Sequence, residues 1–199
     1  MLFRSPQVFR QFREDHPSVN LRLFDADLRN VEELVVSGEA DMGLGFFFKA
    51  APELDRTPVG RFQLMRVAPA ESEDASSTTG TVSWSALRSA ELLALPQNNP
   101  IQRVIDVHLG AIGRADAQQR QSFNFFGTMI SMVEAGFGTA VMPTFALAAC
   151  RRHRVRTDVL IKPKVGMDFF RITKRGAYES EAMRSFGETL VKALPALSR

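Results

Sequence analysis

Hydrophobic and polar positions switch between two spacings along this chain, and the switching predicts helices and strands in turn. Residues 5–15 open with Ser5 as N-cap and Pro6 at the first helical position, and Val8, Phe9 and Phe12 then share one face. His16 and Pro17 end that helix. Residues 19–24 alternate as a strand, and Asp27 is placed to cap the next helix, in which Val31, Leu34 and Val35 form the buried stripe and Gly38 the stop. Strands are predicted at 41–48 and 62–67, followed by a polar surface loop, EDASSTTG, at 73–80. Residues 84–88 read as a short helix and 92–95 as a buried strand. An amphipathic helix at 101–109 is led by Gln97, Asn98, Asn99 and Pro100. Residues 169–173 read as a late strand, and Ser180 caps a terminal helix with Met183, Phe186, Leu190 and Leu194 on one face, expected to pack on the first domain. Such alternation predicts an α/β fold with a mostly parallel sheet flanked by helices.

The most informative segment is QSFNFFGTMISMVEAGFGTAVMP, residues 121–143. Phe123 and Phe125 suit a buried strand, Met129, Met132 and Val133 recur at helical steps, and Gly136 and Gly138 supply the left-handed stop before a second strand at 139–142. This is one βαβ unit, with Gly127 and Thr128 at the helix N-terminus and a crevice expected at the turn before it.

Composition narrows the class. A chain of 199 residues, 45% of them hydrophobic, can bury one sizeable core or two small ones. Its apolar runs fall far short of the roughly 20 residues that span a bilayer, and no charged-then-apolar signal segment opens it, so a soluble, cytoplasmic protein without membrane contact is expected. The lone Cys150 excludes an internal disulfide and a multi-cysteine metal site. The net charge of +3 is unevenly spread, because CRRHRVR at 150–156 carries four arginines. Without interleaved aromatics or a groove-reading helix, that patch reads as a solvated loop after a helix rather than a nucleic-acid surface.

Nothing in the pattern points to catalysis. His16, His108 and His153 share no metal-ligand spacing, and there is no nucleophile elbow, Walker loop, dinucleotide fingerprint or acidic pair spaced across a cleft. A non-enzymatic protein without cofactor or metal is expected. Candidate binding residues lie instead where helix N-termini follow strand ends, the usual ligand position in open α/β sheets. Asn98, Asn99 and Pro100 precede one helix, Gly127 and Thr128 open another, and Asp27 opens a third. Free N–H groups and the helix dipole favour a carboxylate or phosphate there, by about 0.3–1 kcal/mol per helix end. The plainer reading, that these residues merely cap their helices, stays open for each.

Three segments in register resemble the effector-binding domain of LysR-type transcriptional regulators: VEELVVSGEADMGLGF (31–46), LLALPQNNPIQRVIDVHL (92–109) and SMVEAGFGTAVMP (131–143). The strand TPVGRFQLMRVAPA (57–70) lies between the first two, and order and separation match over nearly the whole chain. The resemblance implies a type 2 periplasmic-binding-protein-like fold: two α/β subdomains, 1–68 with 170–199 and 69–169, joined by two crossover strands, with a ligand cleft between them. Family members carry a winged helix-turn-helix and a linker helix ahead of this domain. The resemblance therefore places the start of this chain after both, and after the domain's first strand, with no direct DNA contact by the chain itself.

The resemblance further implies a site in which Asp27, Phe46, Asn98, Asn99, Pro100, Phe126, Gly127 and Thr128 surround a small organic effector. Family members often place a cleft residue at the position of Phe46, sometimes an arginine; an aromatic there, with Phe125 and Phe126 opposite, suits an aromatic or largely apolar carboxylate. Paired effector domains imply a homodimer, with the helix of Val8, Phe9 and Phe12 on one surface and the helix at 101–109 on the other, unless the first helix spends its apolar side on its own sheet. Two alternatives share the fold: a solute-binding receptor of a transport system, and a free-standing module that dimerises with a full-length regulator.

Overall fold

The computed structural model describes residues 5–26, 28–49, 51–70, 79–115 and 119–197. The chain folds into two compact units, one made of Met1–Arg61 with Asp168–Arg199 and the other of Phe62–Met167. It passes from one to the other twice, within the two longest strands, as a type 2 periplasmic-binding-protein-like fold requires.

The first unit contains helices α1 (Ser5–Asp15), α2 (Leu28–Ser37) and α6 (Glu181–Leu197), strand β1 (Gly43–Gly45), the opening of β2 (Leu54–Pro69) and most of β7 (Gly166–Lys174). The apolar face of α1 packs against α6. Val8 and Phe12 are buried, Phe9 stacks on Phe186 at 5.7 Å, and Phe12 meets the same ring edge-on at 5.1 Å. His16 Nε2 lies 2.7 Å from the Ser185 hydroxyl, and the Ser180 hydroxyl accepts from the Met183 N–H at the start of α6. The terminal helix thus packs on the first unit as its apolar stripe predicts, with Phe186 against Phe9 and Phe12 of α1. Val31 and Val35 of α2 close over Phe47, Leu54 and Ile172 to form a second core. Strand β1 runs antiparallel to β7, with Gly43 opposite Ile172, and β7 lies beside β2.

Residues 19–24 do not form the strand their alternation predicts. Leu23 and Phe24 are exposed, and among the described residues no strand pairs with the segment. Alternation sets which face of a strand is buried, but a strand also needs a hydrogen-bonded neighbour. The strand expected at 41–48 is likewise only the three residues of β1.

The second unit is a sheet in the order β3 (Thr79–Ser83), β6 (Val155–Ile161), β2, β5 (Thr139–Pro143), β4 (Leu92–Leu93). Helices α3 (Pro100–Ala111), α4 (Phe126–Glu134) and α5 (Leu147–Cys150) and a 3-10 turn at Trp84–Leu87 pack around it. Leu64, Met65, Trp84, Leu95, Leu109, Met129, Ile130, Met142 and Leu160 are wholly buried. The sheet is mixed rather than mostly parallel: β3 with β6 and β4 with β5 are parallel, but β2 opposes both neighbours because it is a crossover strand entering from the other unit.

Two strands lie where loops are expected. Residues 79–80 of the polar loop belong to β3, with 73–78 outside the described residues, and β6 begins at Val155 inside the basic patch. Within β6, Asp158 is fully buried; Arg66 of β2 donates to its Oδ2 from Nε (3.1 Å) and Nη2 (2.5 Å), and Arg156 reaches it from the solvent side. Gly80 on β3 leaves the room, since a Cβ there would stand 2.6 Å from Asp158 Oδ1. A carboxylate buried this deeply is tolerable only with such charged donors. No helix among the described residues is long and apolar enough to cross a membrane.

Candidate functional site

The site-bearing turns of the second unit begin where β4 ends. The Ala94 N–H donates to the Gln121 carbonyl and the Ala94 carbonyl accepts from the Phe123 N–H, both at 2.9 Å, making a single parallel bridge between Ala94 and Ser122. This bridge replaces the buried strand expected at Phe123 and Phe125. Phe123 is half-buried, and Phe125 is 64% exposed as the N-cap of α4, because the chain turns into the helix as soon as the bridge is made.

From this bridge two helices start. Pro96 to Asn99 form a turn, closed by the Asn99 N–H on the Pro96 carbonyl at 2.8 Å, and Pro100 takes the first helical position of α3. The Asn99 side chain accepts from the Ile101 N–H at 2.9 Å, so it caps its own helix, while Asn98 is exposed. The start of α4 differs: Phe125 gives it no side-chain cap, and no acidic residue lies in its first turn. Gly127 has open space where a side chain would stand, and the Thr128 side chain is exposed. A helix start of this kind leaves N–H donors facing outward beside the positive end of the dipole.

Beside that start lies an aromatic wall, in which Phe126 is half-buried and Phe145 and Phe62 are buried behind it. Phe126 meets Phe145 edge-on at 5.3 Å, and Phe145 meets Phe62 at 5.9 Å. Phe145 was not among the residues read from the sequence; its signal is its place two residues beyond Pro143, where β5 ends. Phe46, in the first unit, is buried and packs edge-on against Phe169 at 5.1 Å. Asp27 lies outside the described residues.

The far end of α4 is held by charge. Glu134 accepts from the Arg154 backbone N–H at 2.8 Å and lies 2.6 Å from His153 Nδ1. Those two contacts, the backbone donor foremost, hold its carboxyl below the ordinary carboxylate range. Cys150 is buried at the end of α5, and burial pushes its thiol up to about 12, so it stays protonated and unreactive at neutral pH. Among the described residues, no group of three or more His, Cys, Asp or Glu gathers as a metal site. An open depression of about 480 Å³ occurs elsewhere, in the first unit, lined by Arg13 and residues 17–21, without a helix start or an aromatic wall.

The sequence matches the LysR substrate binding domain over residues 3–195. The chain belongs to that family. Among curated relatives of this LysR-family chain, the HTH-type transcriptional activator IlvY of Salmonella typhimurium is 24% identical over 145 residues, which are 71% of this chain and 48% of the relative. The uncharacterized HTH-type transcriptional regulator YfeR of Shigella flexneri is 25% identical over 148 residues, 71% of this chain and 45% of the relative. The matched part is therefore less than half the length of either regulator. The fold is that of a LysR effector-binding domain. OxyR of Corynebacterium glutamicum, as a C206S mutant with bound H2O2, superimposes with a TM-score of 0.82 at 15% identity, over 98% of this chain and 62% of that one. The BenM effector binding domain with its effector benzoate gives 0.78 at 17% identity, over 98% and 89% of the two chains. The effector binding domain of QuiR in complex with shikimate gives 0.76 at 13%, over 94% and 88%.

Proposed function

We propose that this chain is the effector-sensing domain of a LysR-type transcriptional regulator, and that it binds a small organic carboxylate of aromatic or largely apolar character at the starts of α3 and α4. The observation that carries the reading is the start of α4, where outward N–H donors lack a capping side chain and an aromatic wall of Phe126 and Phe145 stands beside them. The donors suit a carboxylate and the wall suits a flat apolar body. Benzoate and shikimate, the molecules in the BenM and QuiR structures, are both carboxylates. Asn98, Asn99, Pro100, Phe126, Gly127 and Thr128, all of the second unit, are the proposed members of this site.

Binding without chemistry is the proposed role: the ligand shifts an equilibrium by its differential affinity for two arrangements of the domain, and in an intact regulator that shift reaches the DNA-binding heads. A homodimer through the outward face of α3, where Val107 is exposed, belongs to the same proposal. The helix α1 is its other proposed surface, with Phe9 only half-buried against Phe186 of α6.

Thermal-shift screening of small carboxylates tests the reading. A ligand at 100 times its dissociation constant adds about 2.7 kcal/mol of apparent stability. Thr128→Ala is expected to reduce the shift of any hit while leaving the unliganded melting temperature nearly unchanged, since the side chain is exposed. A hit whose shift survives both Thr128→Ala and Asn99→Ala unaltered would place the ligand elsewhere.

A further inference from the structure

The two turns that present the proposed site are joined by a second link besides the Ala94 bridge. Immediately after Ala94, the Leu95 N–H has a side chain for its acceptor: Gln102 Oε1 of α3, at 2.8 Å. Gln102 Nε2 donates onward to Asp106 Oδ1 at 2.9 Å, and Arg120 Nη1 donates to the same oxygen at 2.8 Å. Arg120 precedes Gln121, whose carbonyl accepts from the Ala94 N–H. The contacts therefore close a ring through 94–95, 102, 106 and 120–121. Gln102 (3% exposed) and the Arg120 side chain (4%) are withdrawn from water, while Asp106, which joins them, keeps 28% of its side chain exposed. In such surroundings each hydrogen bond is strong and each lost partner costly, so a closed network fixes geometry.

We infer that Gln102, Asp106 and Arg120 are positioning residues for ligand binding, a closed polar ring that holds the turn at 96–99 and the approach to α4 at 121–125 in one fixed register. The inference rests on the proposed site at those turns. No member of the ring need touch the ligand; the ring sets where the turn leading into α3 stands relative to the uncapped N–H groups of α4. A merely local role, with Gln102 satisfying one buried backbone donor, would leave the approach to α4 independent of Asp106.

Amide hydrogen exchange of the full chain separates the two, comparing Asp106→Leu with Asp106→Asn, which keeps an acceptor oxygen for both donors. The expected result for Asp106→Leu is exchange faster by about tenfold at 95–99 and also at 121–128, with 139–143 unchanged, and near recovery in Asp106→Asn. Benzoate serves as the binding probe, and its affinity is expected to fall about tenfold in Asp106→Leu and to return within about twofold in Asp106→Asn. Faster exchange at 95–99 alone, or equally across the whole unit, would overturn the inference. So would unchanged benzoate affinity in a variant whose turns have both loosened. If the unaltered chain binds no benzoate while Asp106→Leu loosens both turns, the ring is upheld as the device that registers them and benzoate is removed as the ligand.

Discussion

At the scale of single residues, the second unit holds two paired carboxylates, Asp158 fully buried and Glu134 with 29% of its side chain exposed. Asp158 is fully buried between Arg66 and Arg156, and Asp158→Ala leaves the mostly buried Arg66 guanidinium without its partner. A loss of about 3 kcal/mol in urea-unfolding free energy is expected. A loss within that of ordinary surface substitutions would contradict the assigned role. Glu134 acts through pH instead. Its carboxyl is held below the ordinary value of 4.5 by the Arg154 backbone N–H and by His153. Its contribution is therefore complete above that value and is withdrawn as pH falls through the lower folded-state value. The stability gap between the native chain and Glu134→Gln, followed by urea titration from neutral pH downward, is expected to shrink below pH 4.5. A gap constant across that range would exclude the linkage. Neither residue was legible as such in the sequence. Asp158 sits in a strand hidden behind an arginine run, and the partner of Glu134 is 19 residues away, a contact only the fold creates.

Elements were more legible than their partners. The helices at α1, α2, α3, α4 and α6 follow from apolar spacing plus Ser, Asn, Pro and Gly at their ends, all local signals. The alternation at 19–24 is real, but among the described residues no strand pairs with it, and β3 and β6 escape the pattern because polar and basic residues hide short strands that pair with each other. The turn before β5 was read correctly for a physical reason. Gly136 and Gly138 both have positive φ, and at Gly138 a Cβ would lie 2.8 Å from the Glu91 carbonyl oxygen that accepts from the Thr139 N–H. Gly138→Ala is thus expected to cost about 1–3 kcal/mol by forcing β4 and β5 apart, measurable as a lowered melting temperature. An unchanged melting temperature would mean that the approach of β4 to β5 tolerates the shift. Of the candidate site, the residues at the two helix starts were legible, whereas Phe145 and the Gln102 ring were not, since aromatic walls and polar networks depend on which turns the sheet brings side by side.

For the whole molecule, the resemblance of three segments was enough to place the chain among two-unit α/β domains, and the match over residues 3–195 and the superposition on LysR effector-binding domains agree. What remains specific to this chain is the chemistry of its ligand, which the account assigns to the starts of α3 and α4. Two-dimensional NMR of the isotope-labelled chain, titrated with the strongest carboxylate found by thermal shift, tests that assignment most directly. The largest saturable amide shifts are expected on Phe126, Gly127 and Thr128, at the uncapped start of α4. Largest shifts on α6, or around Arg13 and residues 17–21, with those three amides unmoved, would contradict it.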